Sequence, residues 1–174
     1  MKEMMRAIYF SEFKGELSVK EVDVPSTPAC GVLIRVEATG LCRSDWHGWS
    51  GHDSDISLPH VPGHELAGVV EVVGEGVKKF SVGDRVTVPF VNGCGRCSFC
   101  LSGNAQVCPQ QTQPGFTQWG SFAEYVAIEN ADFNLISLPH EIAFATAAAL
   151  GCRFATAFRG LVDRAEIKKG EWVS

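Results

Sequence analysis

Short apolar stretches separated by turn residues make up the chain from its beginning to about Asn134. Each stretch is rich in Val, Ile and aromatic side chains, which favour β-strands, and several end at glycine-containing turns such as residues 74–76. The pattern predicts strands at residues 4–10, 32–39, 66–73, 85–88 and 122–128. Many short strands with turn signals between them are typical of a compact barrel or sandwich, so we expect a mainly β fold with short helices.

The pattern changes after Asn134, where helix-forming residues replace the short strands. The alanine-rich residues 143–150 predict one helix. A second helix is expected to begin near Cys152 and to end near residues 168–170, where two lysines precede a glycine. Four apolar residues fall on one face of this second helix: Phe154, Phe158, Leu161 and Val162. Residues 170–174 resemble the beginning of a buried strand, so we expect the chain to be a fragment of a longer protein.

The composition indicates an ordinary globular protein and argues against some functions. The chain has 174 residues, enough for one well-buried domain, and 45% of them are hydrophobic. A net charge of -5, without a run of lysine or arginine, argues against nucleic-acid binding. The first ten residues are charged and lack an apolar run long enough for a secretory signal or a membrane span. We therefore expect a cytoplasmic protein with no membrane or nucleic-acid partner and with reduced cysteines.

Four of the seven cysteines lie within one short polar stretch. Cys94, Cys97, Cys100 and Cys108 have the spacing C-x2-C-x2-C-x7-C. Disulfides between such close neighbours would have poor geometry, and clustered cysteines in a reduced compartment indicate a bound metal. Four thiolates suit a tetrahedral Zn²⁺ whose positions are all filled by protein, which would make the site structural. An iron–sulfur cluster is the alternative, because the bacterial pattern begins with the same spacings but has a last spacer of three residues.

The other three cysteines are scattered along the chain. Cys30 has no polar neighbours, and we expect it to be a small buried apolar side chain. Taken singly, Cys42 and Cys152 have the same simple explanation, and His64 is explained as a capping histidine at the beginning of a strand. Together, however, two thiolates and one imidazole would leave a fourth tetrahedral position of Zn²⁺ open for water or a substrate oxygen. The three residues are therefore a candidate catalytic metal site, with the carboxylate of Glu65 beside it.

Several stretches resemble the zinc-dependent medium-chain alcohol dehydrogenases in their residues, order and spacing: ATGLCRSDWHGW, GHELAGVVEVVGEGV, the four-cysteine loop and SFAEYV. The resemblance covers essentially the whole chain and implies the catalytic domain of that family, a GroES-like, partly open β-barrel. It implies that Cys42, His64 and Cys152 are the ligands of a catalytic zinc. Glu65 would be an alternate ligand or a supporting carboxylate, and Asp45 would accept a hydrogen bond from the ligating histidine.

The resemblance also implies a path for the proton of the alcohol. Ser44 matches the hydroxyl group that takes this proton, and His47 matches the histidine that passes it through the cofactor ribose to solvent. A simpler interpretation of Ser44 is a helix cap, and both roles are compatible. In this family zinc acts as a Lewis acid that lowers the pKa of the alcohol, so that hydride can leave towards a nicotinamide ring.

Further positions are assigned to cofactor and substrate by the same resemblance. Arg43 matches a residue that reaches the cofactor pyrophosphate, and Thr156 matches a threonine beside the nicotinamide. Trp49 and Phe90 match residues that line the substrate pocket, where the bulk of Trp49 implies a small alcohol or aldehyde. Each also has a simple structural explanation, as a surface arginine, a threonine within a helix or a core aromatic residue.

The expected organisation is a GroES-like catalytic domain at residues 1–150, which includes the structural zinc loop at 92–110. Residues 151–174 would form a linking helix and the beginning of a nucleotide-binding domain. The motif G-x-G-x-x-G of such a domain does not occur in the sequence, so NAD or NADP would bind only in the full-length protein.

In function, we expect the full-length protein to oxidise an alcohol to an aldehyde or ketone and to form homo-oligomers, and the fragment to be an inactive monomer. The alternative is a zinc-stabilised GroES-like binding module without catalysis. Two zinc ions per chain would support the enzyme, and one ion held only by the loop would support the binding module. Of the two sites, we expect the loop to hold its zinc more completely.

Overall fold

The computed structural model describes residues 3–173. Met1, Lys2 and Ser174 lie outside the described residues, and Ser174 is the last residue of the strand expected at 170–174. The strands are β1 (Met4–Tyr9), β2 (Ser18–Asp23), β3 (Val32–Gly40), β4 (Glu65–Val73), β5 (Arg85–Thr87), β6 (Tyr125–Ile128) and β7 (Ile136–Ser137). The α-helices are α1 (Arg43–Trp49), α2 (Ser98–Leu101), α3 (Ala131–Asn134), α4 (Phe144–Ala148) and α5 (Ala155–Phe158), and a 3-10 turn covers Ala105–Val107.

The larger sheet contains five strands in the order β6-β3-β4-β5-β7, with every neighbouring pair antiparallel. The hairpin of β1 and β2 joins it through backbone hydrogen bonds at the end of β1. The N–H of Ile8 donates to the carbonyl of Phe122 at 2.8 Å, just before β6, and the N–H of Phe10 donates to His60 at 3.1 Å, just before β4. These connections give a partly open barrel, and the strands and short helices together confirm the predicted mainly β architecture.

Strands β3 and β4 form the centre of the barrel and carry side chains into two separate apolar layers. Successive side chains of a strand point to opposite faces of the sheet. Leu66 is therefore buried in the main core with β3, β5 and β6, whereas its neighbour Ala67 packs against α4. The register pairs Gly40 with Glu65, so the first residue of β4 lies at the rim of the barrel. The functional side chains of the residues directly before β4 therefore also lie at this rim.

All five predicted strands are present, with ends that differ from the prediction by a few residues. The strand predicted at 122–128 begins only at Tyr125, because the preceding segment forms hydrogen bonds with β1 instead. The sequence did not predict β2, whose side chains are mostly exposed, or β7, which has two residues. Neither strand buries enough apolar surface to leave a clear pattern.

The predicted helix at 143–150 is present as α4, and the second predicted helix is a continuous helical segment from Leu150 to Arg164. In this segment 150–164, wide π-helical turns precede and follow α5. The helix ends before the predicted lysines, and its predicted apolar face is open to solvent, since Phe154 and Phe158 are more than half exposed. The predicted strand near the end is not found, because residues 171–173 have no strand partner in the described chain. Among the described helices, none is long and apolar enough to cross a membrane.

Candidate metal centres

The four cysteines of the polar loop converge on one point of a small lobe built from α2 and the 3-10 turn. We call Cys94, Cys97, Cys100 and Cys108 the loop cluster. All four Sγ atoms lie within 4.8 Å of one another, with 4.0 Å between Cys94 and Cys100 and 3.7 Å between Cys97 and Cys108. Tetrahedral zinc with bonds of about 2.3 Å requires about 3.8 Å between sulfurs. The spacing fits one zinc ion and favours it over a larger iron–sulfur cluster.

Two thiols of the loop cluster, Cys94 and Cys100, have pKa values shifted in opposite directions. Hydrogen bonds from the backbone of Arg96 and Cys97 lower the pKa of Cys94 to about 6. Burial, as the largest cause, and the neighbouring thiols together raise the pKa of Cys100 to about 12, against the lowering effect of a backbone hydrogen bond from Gly95. Thiolates in such a small space repel one another, and a divalent cation bound between them would balance their charge.

The side chain of Asn134 connects the beginning of this loop to the barrel through hydrogen bonds. Its side chain is 3% exposed and forms three hydrogen bonds. The oxygen Oδ1 accepts from the N–H of Gly93 at 2.9 Å, while Nδ2 donates to the carbonyls of Gly93 and Glu129 at 3.0 and 2.9 Å. Because Gly93 directly precedes the first cysteine of the loop cluster, Asn134 determines where the lobe leaves the barrel.

A second metal-binding arrangement lies at the rim of the barrel. We call Cys42, His64, Glu65 and Cys152 the barrel cluster, since one ligand atom from each lies within 4.8 Å of all the others. Cys42 is the residue before α1, and Cys152 lies in the first wide turn of segment 150–164. His64 directly precedes β4, and Glu65 is the first residue of that strand. The structure therefore brings together residues that are far apart in sequence.

The chemistry of His64 fits a metal ligand. The side chain is 1% exposed, and its Nε2 is buried without a hydrogen-bond partner. A buried polar atom without a partner costs about 1–3 kcal/mol. A zinc ion held by this nitrogen and by the thiolates of Cys42 and Cys152 would satisfy the atom, and two sulfurs with one nitrogen are typical zinc ligands.

Asp45 connects the two sides of the barrel cluster. It is 5% exposed, and its Oδ2 accepts from the N–H of Cys42 at 2.8 Å. Its Oδ1 accepts from the N–H of Gly63 and from Nδ1 of His64, each at 3.1 Å. Because Nδ1 carries the proton of this hydrogen bond, Nε2 is the nitrogen left for a metal. Burial lowers the pKa of His64, but Asp45 and the two nearby thiols outweigh burial and raise it to about 10.

The turn into β4 depends on Gly63. Its φ of +103° lies in the region that favours glycine, and a Cβ there would lie 2.6 Å from the backbone nitrogen of Phe122. A larger residue would therefore displace the neighbouring His64 from the cluster.

The carboxylate of Glu65 is fully buried and is held by Arg153. The guanidinium donates from Nε to Oε1 at 2.9 Å and from Nη2 to Oε2 at 2.6 Å. A buried carboxylate needs such partners, and a two-pronged arginine satisfies both oxygens at once. Gly40 makes room for this pair, since a Cβ there would collide with the Glu65 carboxylate. While Arg153 holds both oxygens, the cluster offers three ligands and an open fourth position.

The two predicted proton-relay residues lie one turn apart on α1. Ser44 is half-buried, and its Oγ lies 3.9 Å from the Cys42 sulfur. His47 is exposed, and its Nδ1 lies 3.1 Å from Nδ1 of His52. Burial opposes ionisation of Cys42, but hydrogen bonds from Ser44 and His64 outweigh it and lower the pKa of this thiol. One relay candidate therefore faces the cluster, and the other faces solvent.

The residues predicted to contact cofactor and substrate are less closely grouped. The guanidinium of Arg43 stacks over the Trp46 ring at 4.2 Å. Phe90 and Thr156 line the same cavity of about 660 Å³, and the Phe90 ring lies 6.4 Å from that of His64.

Trp49 belongs to an apolar cluster with Phe10, Ile56 and Phe116, and its Nε1 donates to the carbonyl of Gly15 at 2.9 Å. The Phe116 ring lies 5.2 Å from the His64 ring. Trp49 thus reaches the barrel cluster only through its aromatic neighbours.

Two predictions about individual residues were wrong. Cys30 is exposed, because it lies in the turn before β3 and not in the strand. Ser44 does not cap α1; Cys42 is the cap residue, and the carboxylate of Asp45 accepts the hydrogen bond from its N–H. Ser44 is instead the second residue of the helix, with its hydroxyl free to face the barrel cluster.

Sequence reasoning missed Arg153 and His52 as neighbours of the candidate site. Arg153 directly follows the predicted ligand Cys152 and binds the carboxylate of Glu65. The signal that could have revealed this pair is the position of Glu65 at the beginning of an apolar strand, where a carboxylate needs a positively charged partner. His52 follows His47 by five residues and meets it beyond the end of α1, a contact that helical spacing does not predict.

Comparisons with known proteins agree on one family. A model of the alcohol dehydrogenase GroES-like domain matches residues 28–140. An alcohol dehydrogenase of Geobacillus stearothermophilus is 39% identical over 173 residues, which are 98% of this chain and 50% of the relative. One of Moraxella sp. (strain TAE123) is 37% identical over 172 residues, 97% of this chain and 50% of the relative.

Solved structures give the same result. An NAD-dependent alcohol dehydrogenase superposes with a TM-score of 0.87 at 35% identity, covering 96% of this chain and 49% of its own. A cobalt and zinc bound thermostable alcohol dehydrogenase from Pyrobaculum aerophilum gives 0.87 at 34% identity, covering 97% and 50%. The chain spans about half the length of the relatives that it matches.

Proposed function

This chain belongs to the alcohol dehydrogenases that carry a GroES-like domain, and from that premise we propose that it forms the zinc-binding catalytic half of an enzyme that oxidises alcohols with NAD or NADP. The observation that carries the proposal is the barrel cluster. It offers two sulfurs and one nitrogen to a metal, while a fourth candidate ligand, Glu65, is held by Arg153. Three ligands with an open position are typical of catalytic zinc, whereas structural sites are closed.

Cys42, His64 and Cys152 would hold the zinc. Bound there, zinc would supply a Lewis acid that lowers the pKa of the substrate hydroxyl. Asp45 fixes the orientation and tautomer of His64, so that Nε2 faces the other ligands. Arg153 keeps the glutamate from closing the site.

Ser44 is the group that we assign to accept the proton of the alcohol. Its hydroxyl lies beside the Cys42 sulfur, and so within reach of a substrate at the open position. His47 lies one turn further along α1 at the surface, where it would release the proton to solvent. Arg43 and Thr156 are assigned to the cofactor, and Trp49 and Phe90 to the walls around a small alcohol or aldehyde.

The loop cluster has a structural role in this proposal, because four thiolates around one ion leave no position for a substrate. Residues 1–150 would form the catalytic domain with its zinc loop, and residues 151–174 would lead away from it towards a nucleotide-binding partner.

Metal analysis with cobalt(II) as a coloured substitute for zinc tests the proposal. We expect two metal ions per chain, and we expect added imidazole to change the visible spectrum of one of them, because the barrel cluster alone has an open position. The His64→Ala variant should keep one ion and lose the response to imidazole. One ion per chain in the unaltered protein, or no response to imidazole, would instead support a zinc-stabilised binding module.

A further inference from the structure

A cavity of about 660 Å³ lies between segment 150–164, the lobe and the loops on either side of the lobe. One end of the cavity adjoins the barrel cluster. Phe90 and Gly151 line it there; the Phe90 ring is 6.4 Å from the His64 ring, and Gly151 directly precedes Cys152. A ligand in this cavity could therefore place one of its ends at the candidate metal site.

Two arginines line the same cavity, both from the second wide turn of segment 150–164. Arg159 Nη2 donates to Oδ1 of Asn104 at 2.9 Å, and Arg164 Nη2 approaches the same oxygen at 3.4 Å. Two guanidinium groups thus share one neutral amide oxygen. Among the described residues, neither arginine forms an ion pair with a carboxylate.

This arrangement leaves two positive charges together without compensation. Like charges at short range repel each other, and a single amide oxygen satisfies only a small part of ten N–H donors. Arg159 is also half-buried, which makes an uncompensated charge more costly than at the open surface. Planar guanidinium groups are well suited to the oxygens of carboxylates and phosphates.

We propose that Arg159 and Arg164 bind an anionic group, a carboxylate or a phosphate, at the end of a ligand whose other end reaches the barrel cluster. This inference rests on the proposed function and specifies its substrate class: an alcohol or aldehyde that carries an anionic group. The apolar wall of Phe90 and Ala155 accommodates the carbon chain between the two ends. Asn104, which already holds both guanidinium groups, keeps them directed at the cavity.

The test compares 6-hydroxyhexanoate with hexan-1-ol, two probes that differ in the carboxylate, by calorimetric titration of the zinc-loaded chain. We expect the carboxylate probe to bind at least about tenfold more tightly, which corresponds to about 1.4 kcal/mol. Arg159→Gln should abolish this preference. Lys20→Gln is the matched control, because it removes an equal charge from an exposed position of β2 that does not line the cavity, and it should leave the preference unchanged.

Two further measurements separate the possible outcomes. Hexanoate, which has no hydroxyl group for the metal, should bind to His64→Ala as it binds to the unaltered chain; the anion site would then stand even if the zinc chemistry failed. If Arg159→Gln only lowers the melting temperature and keeps the preference, the arginines merely brace Asn104 and the proposal is wrong. Tighter binding of nicotinamide mononucleotide than of the hydroxy acid, with the same dependence on Arg159, would assign the site to a cofactor phosphate and overturn the substrate class.

Discussion

Replacing Asn134 by aspartate is expected to weaken the attachment of the zinc lobe to the barrel. Aspartate has the same shape and keeps the hydrogen bond from the N–H of Gly93, but it cannot donate to the carbonyls of Gly93 and Glu129. The buried carbonyl oxygen of Gly93 and the partly buried carbonyl oxygen of Glu129 lose this donor and then face a carboxylate. Since a lost hydrogen bond costs about 1 kcal/mol and an unsatisfied buried group somewhat more, we expect the free energy of unfolding to fall by about 2–4 kcal/mol.

Urea denaturation of zinc-saturated protein, followed by tryptophan fluorescence, measures this change through the shift of the midpoint at a constant slope. Gln118→Glu is a suitable control, because Gln118 is half-buried and its Nε2 donates a single hydrogen bond to the carbonyl of Ala127 at 2.8 Å. We expect that control to lose about 1 kcal/mol. If the Asn134 variant were no less stable than the control, the three hydrogen bonds would not fasten the lobe as inferred.

Three other predictions concern the metal centres. Cys97→Ser should lower the zinc content by one ion per chain, whereas Cys30→Ser, at an exposed cysteine outside both clusters, should leave the content unchanged when metal is analysed. Because the pKa of His64 is raised to about 10, zinc binding at the barrel cluster at pH 7.5 should release the His64 proton, and the zinc affinity should fall as the pH is lowered. Calorimetry in buffers of different ionisation enthalpy measures this release as proton uptake by the buffer. A measurement that detects no proton uptake would contradict the prediction. Arg153→Gln should free the carboxylate of Glu65 to act as a fourth ligand, which predicts a changed cobalt(II) spectrum that no longer responds to imidazole.

The members of both clusters could be named from the sequence, because several thiols at close spacing, or two thiols together with an imidazole, are typical of metal sites. The loop cluster follows from spacing alone, since its four residues bring one another together within a short loop. The barrel cluster was suggested by its combination of two thiols with one imidazole and then by the resemblance to a family, because nothing in the local pattern around Cys42, His64 or Cys152 says that they meet. The carboxylate partner of Arg153 lies 88 residues earlier in the chain, and only the tertiary structure shows that contact.

The central strands of the larger sheet could also be predicted from the sequence. β3 and β4 are buried on both faces, so their apolar residues form long runs, whereas β2 is largely exposed and leaves little pattern. The exposure of Cys30 was not predictable from its apolar neighbours, because a shift of one or two residues at a strand end decides whether a side chain enters the core.

The distance along the chain between ligands also determines when each metal centre can form during folding. The loop cluster closes a loop of about 14 residues, but the barrel cluster spans about 110, and the difference in loop-closure entropy is about 2 kcal/mol. If both clusters bind metal as proposed, a nascent chain would take up its first ion as soon as the lobe has been synthesised. The barrel cluster cannot assemble until the helix that carries Cys152 has docked against the finished sheet, so a metal ion bound there would report that the fold is complete.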